Sequence, residues 1–151
     1  MSVTEESKYL AIEGSASTAE EAIRLCGDEL VRQGCVGDTF AQSCIDREVN
    51  YPTGICSEVP VALPHCASED IQQNSVCYLR LTEPVKFYRM DDPDDFVMTR
   101  HVFNLAISRG DHLQFLSKII GILQEPQVLT DMETMDIAEI GAFLRNLVEN
   151  E

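Results

Sequence analysis

Apolar and polar positions recur with two different periods along this chain. Behind Ser17-Thr18-Ala19-Glu20, a capping-box pattern, Ile23, Cys26 and Leu30 return at helical spacing until Gly34 supplies a stop, which predicts a first helix. Thr39 to Gln42 repeats the cap, and Phe40, Cys44 and Ile45 predict a second helix ending before Tyr51-Pro52. Residues 59 to 63, VPVAL, are too short and too β-branched for a helix and lie between prolines, so they predict a short strand. VCYLRL at 76 to 81 alternates around Tyr78 and Arg80 and predicts another.

Beyond a break at Glu83-Pro84, VKFYR reads as a further short strand and MDDPDD as an acidic surface loop. FVMTRHVFNLAI, residues 96 to 107, is rich in strand formers. Gly110-Asp111 opens a third helix with Leu113, Leu116, Ile120 and Leu123 on one face. Pro126 restarts the chain, and Asp136 to Glu139 caps a last helix whose core face is Ile137, Ile140, Leu144 and Leu147. Helices, then strands, then helices predict one α/β domain in two or three layers over residues 1–151, with no repeat and no linker.

Composition narrows the setting. At 151 residues the chain can bury a real core without metal or disulfide support. No apolar run approaches the roughly 18 residues needed to cross a bilayer, and MSVTEESKYL lacks the basic start and apolar stretch of a signal peptide. A soluble, cytoplasmic protein with no membrane insertion is expected. The six cysteines, at 26, 35, 44, 56, 66 and 77, include no CxxC pair, and three histidines are too few to complete a cluster, so free thiols and no metal or other cofactor are expected. A formal charge of −15 repels nucleic-acid phosphates and suits a basic protein partner, or simply a solvated acidic surface.

Pro64-His65-Cys66 stands where the VPVAL run stops. A side chain at the C-terminal end of a strand projects into the crevice where α/β proteins bind ligands. A neutral imidazole there is a competent nucleophile or base. On periodicity alone it serves equally as a capping or packing histidine. Cys66 beside it suggests thiol chemistry, but no third orienting group is identifiable and strand neighbours point to opposite faces, so Cys66 reads as a small filler. His101, inside the predicted long strand, reads as a buried or edge histidine with a satisfied hydrogen bond.

Arg47-Glu48, then Tyr51-Pro52-Thr53-Gly54-Ile55, then Val61-Ala62-Leu63-Pro64-His65 resemble the active-site signature of enzyme IIA proteins of the sugar phosphotransferase system, in the fructose–mannitol superfamily. Leu81 to Phe87 (LTEPVKF) and Asp111 to Lys118 (DHLQFLSK) resemble that family's hairpin and the start of its long helix, in the same order and spacing. Pro-His-Cys together with Leu123-Gln124-Glu125-Pro126-Gln127 resembles the galactitol-type branch.

The resemblance implies a mixed, about five-stranded β-sheet flanked by α-helices. It implies a phosphoryl relay in which the phosphocarrier HPr phosphorylates His65, and His65 passes the group to a cysteine of enzyme IIB for a sugar moved by the membrane component enzyme IIC. By motif match Arg47 holds phosphate oxygens, and His112, in the first turn of a helix, is the second histidine of the site. Thr53 and Gly54 shape the turn before the acceptor, glycine by permitting positive φ. The alternative is a regulatory module of the same fold that reports phosphorylation state by docking to a target.

Overall fold

The computed structural model describes residues 7–108 and 112–149. In chain order it contains β1 (Lys8–Gly14), α1 (Ala19–Arg32), α2 (Phe40–Asn50), β2 (Gly54–Ile55), β3 (Val61–Ala62), β4 (Ser75–Tyr88), β5 (Phe96–Ala106), α3 (His112–Leu123), α4 (Pro126–Thr134) and α5 (Ile137–Glu149). The strands form one five-stranded mixed sheet in the order β1-β4-β5-β3-β2. β1 runs parallel to β4 and β3 parallel to β5, while β4–β5 and β2–β3 are antiparallel.

Both faces of the sheet are covered, so the central strands read as near-continuous apolar runs. Cys77, Leu79 and Leu81 of β4 pack in one cluster with Ile23, Cys26 and Leu30 of α1 and Phe40 and Cys44 of α2. Val76 and Tyr78 of β4 and Phe103 and Leu105 of β5 pack in the other, with Ile119, Leu129, Ile140 and Leu144 of α3 to α5. The result is three layers. Each fully buried leucine or isoleucine adds about 1.5–3 kcal/mol.

The local signals act mostly as the sequence predicts. Thr18 accepts from the Glu21 amide, and the Glu21 carboxylate reaches back to the Ser17 amide, so the box closes on Glu21 rather than Glu20. At the other end of α1, Gly34 has φ 77°, and the Cys35 amide bonds the Leu30 carbonyl in a Schellman arrangement. Thr39 differs. Its hydroxyl and amide go to the Asp70 carboxylate instead of capping α2.

Several elements depart from expectation. β1 and β2 were not predicted. β4 runs through Glu83-Pro84 without a break, because the ladder shifts register between Arg80 and Val85 and Pro84 falls in that irregular stretch, where no ladder bond is required of it. Pro126 opens a helix of its own, α4, at a position that suits a residue without an N–H. In α5 Val148, not Leu147, completes the buried face. Gly110-Asp111, the predicted start of α3, lies outside the described residues. No helix among the described residues is long and apolar enough to cross a membrane.

Candidate active site

The apolar face of α2 (Phe40, Cys44, Ile45) packs onto the sheet and leaves Arg47 and Glu48 in its last turn, just before the chain enters the Pro-Thr-Gly turn. The Glu48 carboxylate accepts the Thr53 amide at 2.8 Å and the Thr53 hydroxyl at 2.9 Å. Thr53 Oγ1 in turn accepts the Leu63 amide at 3.2 Å. Thr53 is 1% exposed and its hydroxyl is committed to this bridge, so the turn role expected of it is the one observed.

Gly54 is required for a different reason than predicted. Its φ is not positive; a Cβ there would meet the carbonyl oxygens of Tyr88 at 2.7 Å and Phe87 at 2.9 Å. The small residue lets β2 approach the end of β4.

β3 delivers the chain to His65. The ring Nδ1 lies 2.7 Å from the Leu63 carbonyl oxygen. A carbonyl only accepts, so Nδ1 carries the proton and Nε2 holds the lone pair. The Pro64 carbonyl accepts the Leu105 amide at 2.9 Å and Asn104 Nδ2 at 3.0 Å, which fastens the segment to β5. The imidazole is half-buried. Burial holds its pKa below the ordinary histidine range, the Leu63 bond opposes that, and the Arg47 cation lowers it further. The ring is therefore neutral at neutral pH.

His65 and Arg47 line the same cavity, of about 790 Å³, together with Cys66, Ser68, Leu105 of β5 and Leu116 of α3. Glu69 is the carboxylate on that wall. The Arg47 guanidinium stands 5.2 Å from the centre of the Tyr51 ring, and among the described residues it forms no ion pair. A guanidinium positioned by an aromatic face keeps its donors for an anion. His112 is the first residue of α3, four positions before Leu116; its side chain lies outside the described residues.

His101 is 2% exposed and bonded at both nitrogens, to the Tyr78 hydroxyl at 2.7 Å and to Glu133 at 3.0 Å. It is the satisfied buried histidine the sequence suggested. All six thiols are free. Among the described residues no group of three or more His, Cys, Asp or Glu side chains could hold a metal ion.

Sequence reasoning gave no role to Glu48, although a carboxylate five residues ahead of the threonine of a Pro-Thr-Gly turn is within reach of that threonine's amide. It also missed the contact of Cys44 with Cys66, whose sulfurs are 3.4 Å apart. A separation of 22 residues leaves no periodic trace.

Residues 5–147 match the family model described as "Phosphoenolpyruvate-dependent sugar phosphotransferase system, EIIA 2". The galactitol-specific EIIA component of the phosphotransferase system of Escherichia coli K12 is 28% identical over 129 residues, covering 85% of this chain and 86% of that protein. Among solved structures, the complex of enzyme IIAMTL and phosphorylated enzyme IIBMTL from Escherichia coli superposes with a TM-score of 0.71 at 25% identity, covering 91% of each chain. The nitrogen regulatory protein IIA-Ntr of Neisseria meningitidis shares the fold, with a TM-score of 0.71 at 22% identity over 93% of this chain and 92% of that one. With the match spanning nearly the whole chain, this protein belongs to the EIIA 2 family of the phosphoenolpyruvate-dependent sugar phosphotransferase system, and is a phosphotransferase component of that system.

Proposed function

We propose that this protein is a cytoplasmic carrier that takes a phosphoryl group from phospho-HPr on Nε2 of His65 and gives it to a cysteine of enzyme IIB, for uptake of galactitol or a related sugar through enzyme IIC. One observation carries the reading: the Leu63 carbonyl ties up Nδ1 and leaves the Nε2 lone pair on a ring that shares a cavity with Arg47. The galactitol-specific relative and the Pro-His-Cys sequence support the choice of sugar.

In the forward step the N–P bond of the donor histidine breaks, its electron pair stays with the departing imidazole, and His65 Nε2 forms the new N–P bond. Transfer passes through a loose, metaphosphate-like state with charge on three equatorial oxygens, so the protein's work is alignment and charge stabilisation. Arg47 supplies a planar fork for two of those oxygens. His112, at the N-terminus of α3, is assigned a hydrogen bond to the phosphoryl group, where the helix dipole also favours an anion. Glu48 and Thr53 position the loop through the Leu63 amide. In the second step an enzyme IIB thiolate attacks phosphorus and returns the lone pair to Nε2. The group moves directly between side chains and requires no cofactor.

Incubation with phosphoenolpyruvate, enzyme I and HPr, followed by mapping of the phosphate, tests the reading. An acid-labile, base-stable phosphoramidate on His65 that transfers to the galactitol-type enzyme IIB is expected. Label on another residue sinks the site. A phosphorylated form that gives nothing to any enzyme IIB would favour the regulatory alternative.

A further inference from the structure

Cys66 follows the acceptor directly and forms part of the cavity wall, although only 8% of its surface is exposed. Behind it, on α2, lies Cys44, with its sulfur 3.4 Å away. The sulfur separation exceeds a disulfide length of about 2.05 Å by about 1.4 Å. The two thiols are unequal. Cys44 donates its S–H toward Cys66, and that bond, then burial, pushes the Cys44 thiol far up. The same bond, with the Arg47 cation, lowers the Cys66 thiol against the effect of burial. Asn104 Nδ2 reaches the Cys44 sulfur at 3.6 Å and fixes it from the β5 side.

The other four cysteines lack this combination. Cys26, Cys35 and Cys77 are fully or nearly fully buried and absent from the cavity wall, and Cys56 is exposed.

We propose that Cys66 and Cys44 form a redox-active pair: a hydroperoxide entering the cavity oxidises Cys66, Cys44 resolves the product to a disulfide, and the bridge disables the neighbouring acceptor. In the first step the Cys66 thiolate attacks the nearer peroxide oxygen. The O–O bond breaks, its electron pair leaves on the distal oxygen, and Cys66 becomes a sulfenic acid. In the second step Cys44 gives up its proton and attacks the Cys66 sulfur. The S–S bond forms, the S–O bond breaks and water departs. With hydrogen peroxide as oxidant, two thiols lose two electrons and the peroxide becomes two water molecules. A dithiol reductant reverses the change.

The bridge ties residue 66 to the helix that carries Arg47. It draws on the segment whose carbonyls at 63 and 64 orient the His65 ring and fasten the loop to β5. The consequence for transfer rests on the carrier role proposed above; the disulfide itself does not.

The test treats the wild-type protein with hydrogen peroxide, alkylates remaining thiols under denaturing conditions and maps the digest by mass spectrometry. A cross-linked peptide joining Cys44 to Cys66 is expected, cleaved by dithiothreitol. In Cys44→Ser, Cys66 should instead accumulate as a sulfenic acid trapped by dimedone. If exposed Cys56 is oxidised while Cys44 and Cys66 are both recovered alkylated, the pair is not redox-active and the inference falls. Phosphate uptake from phospho-HPr by the bridged protein should drop on the order of 10- to 100-fold, the scale on which small misplacements of reacting groups count, and recover on reduction. Unchanged uptake by fully bridged protein overturns the switch. If the reduced protein takes up no phosphate, the carrier reading fails, while the cross-linked peptide still decides the pair.

Discussion

His65 bridges to β5 at Leu105 and His101 is part of β5, and burial is the chief cause of a lowered pKa in each. Their hydrogen bonds make them opposites. In His65 the Leu63 carbonyl fixes the proton on Nδ1 and Nε2 keeps its lone pair on a ring at the cavity wall. In His101 the Glu133 carboxylate fixes the proton on Nε2, so Nδ1 must accept, and the Tyr78 hydroxyl covers it. One ring is oriented with a reactive atom to spare and the other is oriented with none. On the carrier role proposed above, what sets the acceptor apart is which lone pair is left uncovered, more than burial or pKa.

The widest separation between the two is expected on substitution by alanine. His65→Ala should abolish phosphate uptake from phospho-HPr. His101→Ala should leave His65 labelled in full, yet lower the unfolding free energy by about 2–4 kcal/mol, because it opens buried space and strands the Tyr78 hydroxyl. Labelling assays and urea denaturation check the two halves. Lost labelling in a folded His101→Ala protein would break the comparison.

The next effect belongs to the charges around the reactive lone pair. Arg47→Lys keeps the cation but cannot make the paired contact, and His112→Ala removes one donor to a charged group. Each should slow transfer by about 1.5–3 kcal/mol of barrier while phosphate still lands on His65, measured by rapid-quench transfer to enzyme IIB. Wild-type kinetics in either variant removes that residue from the site. Neither substitution should touch the stability contribution of His101.

How far this contrast is legible in sequence depends on the range of the contacts. α1 is legible because its cap, its apolar stripe and its glycine stop all lie within one local stretch. The shared cavity of His65 and Arg47 is legible because one short stretch, residues 47 to 65, carries the whole signature. β1 is not, since KYLAIEG is mostly half-buried, shows no clean alternation, and pairs with a strand 67 residues away. The bridges that distinguish the two histidines, from Tyr78 and Glu133 to His101 and from Glu48 through Thr53 to Leu63, join residues that no period relates. Gly54 shows a further limit: sequence marks the glycine but does not say whether dihedral freedom or close approach requires it.

A smaller effect is expected from loosening the loop while keeping its shape. Thr53→Val removes the hydroxyl that joins Glu48 to the Leu63 amide, while the Leu63 amide retains the Thr53 carbonyl at 3.3 Å. Stability should fall by about 1–3 kcal/mol, and phosphate uptake only a few-fold, seen as a lower kcat with little change in KM. Unchanged kcat would confine the Glu48–Thr53 bridge to a structural role.

The smallest and finest test is the titration of the two rings, followed by NMR of each imidazole. Both folded pKa values are lowered, so below the ordinary value of about 6.5 the unfolded chain binds more protons than the native one. Each histidine's contribution to stability is fully present above that pH and is lost as pH falls through its folded pKa. Glu48 works in the other direction: burial raises its carboxyl to about 6, so its contribution is present below the ordinary 4.5 and fades as pH rises through about 6. Bulk stability therefore blends opposing slopes, and ring-resolved titration is needed to separate them. His65 and His101 should both titrate below 6.5 and then respond to different neighbours. Arg47→Gln removes a cation that disfavours the charged ring and should move only His65 upward. Glu133→Gln removes a carboxylate that favours the charged ring and should move only His101 further down. Phosphate uptake should follow the His65 titration alone, declining as protonation occupies Nε2 and indifferent to Glu133→Gln. If uptake tracks His101 instead, the assignment of the uncovered lone pair is wrong.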